Sequence, residues 1–154
     1  MKKQKIVSYI VIIVSILIVA GLGSVFVNLG IDWFNTLNKP SQFVPNWLIP
    51  VVWSVIYAIF AIVLCLWVSK KPIPKNIVLQ LVINGVFNIL WCLTFFTLNL
   101  TFLGNVTIVL LLIMAYVLII SINKYEKTYS YFTAIYPIWV SIATTLNMAL
   151  WILN

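Results

Sequence analysis

Histidine and arginine are missing from this chain of 154 residues, and Asp32 and Glu126 are its only acids. Charged residues make up 7% of the chain, where a soluble domain carries about 25%. These gaps exclude much chemistry. No single chain with this inventory can assemble a Ser-His-Asp relay, a paired-carboxylate site or a histidine metal centre. Its two cysteines, Cys65 and Cys92, both lie inside apolar runs, where a free thiol behaves as a small hydrophobe. Neither hydrolytic acid–base catalysis nor a metal site is expected.

What the chain has in excess is apolar surface: 64% of its residues are hydrophobic and the mean hydropathy is +1.18. A membrane span needs ~20 such residues to cross ~30 Å of hydrocarbon. Five stretches qualify, at about 6–27, 47–68, 77–97, 103–122 and 131–153. The expected fold is an all-α integral membrane protein, one domain over 1–154, built as a bundle of five transmembrane helices. The first span follows Met-Lys-Lys-Gln-Lys but outruns the 7–15 residues of a signal-peptide core, so it reads as a retained helix.

The net charge of +7 does not point to nucleic acid, because the lysines cluster between spans, as topology signals do. Lys2, Lys3, Lys5, Lys70, Lys71, Lys75, Lys124 and Lys127 fall on one side and Lys39 alone on the other. A multi-pass plasma-membrane protein follows, with a cytoplasmic N-terminus and with loop 28–46 and the C-terminus outside. No internal repeat is visible, and five spans do not suit a simple inverted duplication.

Inside the spans the informative groups are amides and rings. Gln80, Asn84, Asn88, Trp91 and Phe95 follow one another at steps of 4, 4, 3 and 4, one face of a helix. Trp53, Tyr57 and Phe60 line up on the second span, and Tyr136, Trp139, Ala143 and Asn147 on the fifth. The fourth span, around Ile108-Val-Leu-Leu-Leu-Ile-Met-Ala115, lacks such marks and is expected to face lipid or a second subunit. Two readings stand open. The amides can be interhelical hydrogen-bond donors and acceptors, with the rings as an interfacial belt. Alternatively, helices two, three and five enclose a ring-walled cavity with a few orienting amides, the composition of small-molecule sites.

The connector between the first two spans is unusual. Pro40, Pro45 and Pro50 restrict it, and a stiffened loop can serve as a lid over the outer mouth of the bundle. Asp32 and Lys39 are its charges.

Taken in order, Trp33…Leu37-Asn-Lys-Pro-Ser41…Pro45…Trp47…Trp53…Tyr57, then Asn84…Asn88…Trp91…Phe95-Phe96, then Tyr136-Pro137…Trp139…Ala143…Asn147 resembles the tryptophan-rich sensory protein family, the bacterial branch of the translocator protein or peripheral benzodiazepine receptor. The resemblance covers nearly the whole chain. It implies a five-helix bundle, often a homodimer, that binds porphyrins and benzodiazepine-like molecules under a lid formed by the first outer loop. Carried over by position, it implies ligand contacts at Trp53, Tyr57, Asn84, Asn88, Trp91, Cys92, Phe95, Trp139, Ala143 and Asn147. Trp33, Phe34, Lys39, Pro40 and Pro45 fall in the lid. No cofactor is required; protoporphyrin IX is the implied ligand, and the absence of histidine favours its metal-free form.

This chain has Val44-Pro45 where many relatives have two prolines, and Phe34 and Cys92 occupy variable positions. Residues 151–154 do not match the sterol pattern of animal members, and Lys5…Tyr9…Val11 fits only its reversed form. Sterol binding is not inferred. Three functional readings follow: tetrapyrrole sensing, transport or disposal by binding; light- and oxygen-dependent porphyrin breakdown, with Trp53 and Trp139 relaying electrons; and a regulatory membrane scaffold.

Overall fold

The computed structural model describes residues 2–41 and 44–154. Those residues form α1 (Lys2–Thr36), α2 (Leu48–Lys70), α3 (Lys75–Cys92), α4 (Thr101–Tyr125), α5 (Lys127–Thr133) and α6 (Ile135–Leu153), with no strand among them. Hydrocarbon offers no partner for a backbone N–H or C=O, so each span satisfies its own as a helix. Five segments are long and apolar enough to cross a membrane, with α5 and α6 together making the fifth.

α1 differs from its expected span. It runs 35 residues, ~52 Å at 1.5 Å per residue, and continues through Asn28 and Asp32 to Thr36. Trp33 and Phe34 therefore sit on a helix and not in a loop. The connector shrinks to 37–47, of which positions 42 and 43 lie outside the described residues. Pro50 falls in the first turn of α2, where its missing N–H would have no helical partner anyway.

At the same end Asn154 clasps the connector. The Asn38 backbone N–H donates to Asn154 Oδ1 at 2.8 Å, and Asn154 Nδ2 donates back to the Asn38 carbonyl at 3.1 Å. Asn154→Ala is expected to raise hydrogen exchange at the Asn38 amide about fivefold, the loss of ~1 kcal/mol of local protection. Amide exchange resolved at residue 38 checks this; an unchanged rate would mean the clasp does not form.

The C-terminal end of α3 continues as a π-helical turn, Leu93–Thr97. Leu98 N–H reaches back to Leu93 O at 2.9 Å, and Thr97 Oγ1 donates to Phe26 O on α1 at 2.8 Å. Asn99, at φ 57°, turns the chain out in the left-handed region that asparagine tolerates. Gly30 of α1 abuts this turn so closely that a Cβ would lie 1.9 Å from the Phe96 carbonyl oxygen. Packing on α1 is otherwise sparse: 6% of its most apolar stretch is buried, against 39% for α4.

α4 has an outward face, with Ile113, Tyr116 and Ile120 exposed, as expected of a helix turned to lipid or a second subunit, and also a packed face that was not expected. Ile108, Leu111, Ala115, Leu118 and Ile122, each at most 1% exposed, form a buried seam at steps of 3, 4, 3 and 4. This seam packs between α3 and α6, in the two most extensive helix contacts of the bundle. Gly104 allows the close approach, since a Cβ there would fall 2.8 Å from Phe95. A helix apolar all round carries no amphipathic signal to reveal such a face.

The fifth span breaks at Ala134. Pro137 has no N–H to offer the Thr133 carbonyl and crowds that turn, so the helix restarts as α6.

Candidate functional site

Helical spacing on α2 brings Trp53, Tyr57, Phe60 and Leu64 to one wall. The Trp53 and Tyr57 rings stack, with centroids 5.8 Å apart and planes at 29°. Trp53 also meets Trp91 of α3 at 6.0 Å and Tyr136 of α6 edge-on at 6.3 Å. Tyr136 in turn meets Phe60 at 5.5 Å and 88°. Edge-to-face and offset contacts of this kind add about 0.5–1.5 kcal/mol each beyond area burial, so the wall is rigid.

Amides of α3 fasten that wall. Tyr57 Oη donates to Asn88 Oδ1 at 3.2 Å. Asn84 is fully engaged: it accepts from Tyr136 Oη at 3.1 Å and donates to the Gln80 and Met114 carbonyls at 2.8 and 3.2 Å. Farther along, Trp91 Nε1 donates to Asn147 Oδ1 at 3.2 Å, and Asn147 Nδ2 donates to Asn105 Oδ1 at 2.8 Å. The amide stripe is thus interhelical fastening from end to end.

The open space lies between α1, α2 and α3, a cavity of about 940 Å³. Trp53, Tyr57, Phe60, Asn84, Asn88 and Tyr136 wall its deep end. Its other end is ringed by Lys5, Lys70 and Lys71. Val11 and Val82, both lining it, are each 58% exposed, so the cavity is open sideways along α1 and α3.

Of the ten residues expected to contact ligand, Trp53, Tyr57, Asn84 and Asn88 line this cavity. Trp91, Cys92, Phe95, Trp139, Ala143 and Asn147 are not among its lining residues. Cys92 Sγ lies 3.5 Å from where a Gly23 Cβ would sit. Phe95 meets Trp33 at 5.6 Å and Phe34 at 6.5 Å, while Phe34 meets Phe96 at 5.3 Å. Trp139 is buried with its Nε1 lacking a partner among the described residues. Lys39 Nζ sits 5.0 Å over the Phe34 ring, and Pro45 O accepts from Leu48 N–H at 2.9 Å. Neither these nor Pro40 lines the cavity.

Phe60 and Tyr136 belong to the ring stripes expected to wall a cavity, and they do line it, although the space opens between α1, α2 and α3 and not between the second, third and fifth spans. Sequence reasoning passed over two groups. Ser8 and Ser15 on α1 line the space, and no pattern in the first span marks them. Lys5, Lys70 and Lys71 read as topology signals alone. No group of three or more potential metal-ligating residues occurs among the described residues.

Comparison with known proteins agrees with this architecture. The chain is 32% identical over 136 residues to the tryptophan-rich protein TspO of Chlorobaculum tepidum, covering 86% of each. It is 31% identical over 125 residues to protein CrtK of Rhodobacter capsulatus, covering 79% of this chain and 78% of the relative. A TspO protein of Archaeoglobus fulgidus aligns over 153 residues at 28% identity, covering 98% of this chain and 99% of the relative. The sequence profile of the TspO/MBR family matches residues 10–152, and with five spans, an aromatic amide-fastened core and these relatives, the chain belongs to the TspO/MBR family of membrane proteins.

Proposed function

We propose that this protein binds flat, hydrophobic molecules of the tetrapyrrole class, protoporphyrin IX foremost, at the ring-walled end of the cavity, in tetrapyrrole sensing or transport. The observation that carries the reading is the stacked Trp53–Tyr57 pair, fixed by Asn88 and facing open space. A rigid aromatic face offers a flat guest contact at little entropic cost. The volume of about 940 Å³ falls in the ~300–1,000 Å³ range of small-molecule sites. Benzodiazepine-like molecules suit the same wall. The eight-to-one lysine asymmetry supports a cytoplasmic N-terminus in the plasma membrane.

The test is a protoporphyrin titration of detergent-purified protein in the dark, read by tryptophan quenching and the porphyrin absorption band. Saturable binding is expected, weakened about tenfold in Trp53→Leu as ~1.4 kcal/mol of ring contact is lost. Binding that does not saturate, or that ignores Trp53, overturns the reading.

Photochemical turnover is a second reading, favoured by one observation: Trp53 touches both the cavity and Trp91, a ring path inward. On that reading, illumination bleaches bound porphyrin only with protein and oxygen present. Trp53→Phe slows the bleaching, and Trp139→Phe, altering a ring outside the cavity, does not.

A further inference from the structure

The ring-walled end occupies only part of the cavity. From Phe60 down to Lys70 the lining changes to aliphatic side chains, among them Val11, Ile16, Leu64 and Leu81. Those ten steps along α2 span ~15 Å, the depth of one leaflet in a hydrocarbon core of ~30 Å. The lower part is thus a leaflet-deep aliphatic slot, open sideways to the membrane, with cations at its head.

The three lysines at the head are not equivalent. Lys71 is neutralised by Glu126, 2.7 Å away. Lys5 Nζ donates to the Ser69 carbonyl at 2.7 Å, tying α1 to the C-terminal end of α2, and Lys70 Nζ stands 5.6 Å from the Tyr129 ring centre. A carbonyl and a ring face hold an ammonium without cancelling its charge, and each ammonium has further N–H groups to donate. Lys5 and Lys70 therefore present two positive charges where a lipid headgroup would lie.

We infer that this slot is a site for an anionic phospholipid of the leaflet at the lysine-rich end, with an acyl chain between α1 and α2–α3 and the phosphate beside Lys5 and Lys70. The site goes beyond the tetrapyrrole reading, because it uses a different part of the cavity. Chain length, lateral opening and charge all match a lipid already in the bilayer. Each lysine contributes about fivefold to anionic preference, so the pair gives roughly thirtyfold.

The full-length protein in mild detergent is offered phosphatidylglycerol or phosphatidylcholine with identical chains, and retained lipid is counted by native mass spectrometry. Phosphatidylglycerol is expected to be retained about thirtyfold better. Lys70→Gln, which leaves the Lys5–Ser69 tie intact, lowers that preference about fivefold, and Lys70→Arg restores it. Ile12→Trp, placing an indole in the slot, removes retention of both lipids, while glycerol phosphate without chains does not bind. Equal retention of the two lipids by the wild type, an unchanged preference in Lys70→Gln, or full retention in Ile12→Trp would each overturn the site. Because lipid is read by mass and porphyrin by quenching, failure of either proposal leaves the other measurable.

Discussion

Gly30→Leu is expected to lower the stability of this protein by ~3 kcal/mol, the upper part of the range for overpacked positions, and its melting temperature by about 10 °C. The cause is geometric. A first side-chain carbon at residue 30 would sit 1.9 Å from the Phe96 carbonyl oxygen and 2.4 Å from its carbonyl carbon. The obstacle is backbone, within a π-helical turn already held to α1 by Thr97 and Phe26, so no side-chain rotation relieves it. α1 must retreat from the turn, and the Trp33–Phe95 and Phe34–Phe96 ring contacts open with it. Gly21→Leu is the matched control, because nothing lies within 4 Å of a Cβ there. Thermal melts of both variants in one detergent make the comparison; equal melting temperatures would mean α1 does not approach the turn as described.

Asn84→Leu should cost about 2 kcal/mol through lost polar contacts. Three hydrogen bonds go at once, to Tyr136, to Met114 and to the Gln80 carbonyl, each worth about 0.6–2 kcal/mol in a membrane interior, and leucine packing offsets part of the loss. The Tyr136 hydroxyl is left buried without its partner, which is the expensive outcome. Tyr136→Phe removes that hydroxyl, so the double variant should be more stable than the sum of the single losses implies, by about 1 kcal/mol. A double-mutant cycle by denaturation in mixed micelles checks it. Simple additivity would show that Asn84 and Tyr136 do not communicate.

How far the sequence carried depended on where polarity lay. The five spans were legible because length and composition alone decide them. The α3 stripe was legible because amides in an apolar helix stand out, and Asn84, Asn88 and Asn147 do join helices. The end of α1 is not legible at Asn28, because the chain can leave hydrocarbon without leaving the helix, and α1 continues to Thr36. The α5–α6 break was not read from the single span at 131–153, although Pro137 is there to cause it. Nothing in Leu93-Thr-Phe-Phe-Thr97 announces a π turn, which follows from how α3 meets α1 and α4. The cavity was legible only in part: Trp53, Tyr57, Asn84 and Asn88 do wall it, but the side formed by α1 was not. It depends on α1 leaving a gap to α2 and α3 along its N-terminal half, between the Lys5–Ser69 tie and the close approach of Val19 to Gly85, and that is a property of assembly, not of any one stretch.

The sideways opening of that gap decides the phase from which a guest arrives. A molecule entering between α1 and α3 comes from the hydrocarbon, where flat hydrophobic compounds have already partitioned. Occupancy is then governed by moles of guest per mole of lipid or detergent, not by aqueous molarity. Diluting a proteoliposome suspension with buffer leaves the complex filled, whereas adding empty vesicles drains it.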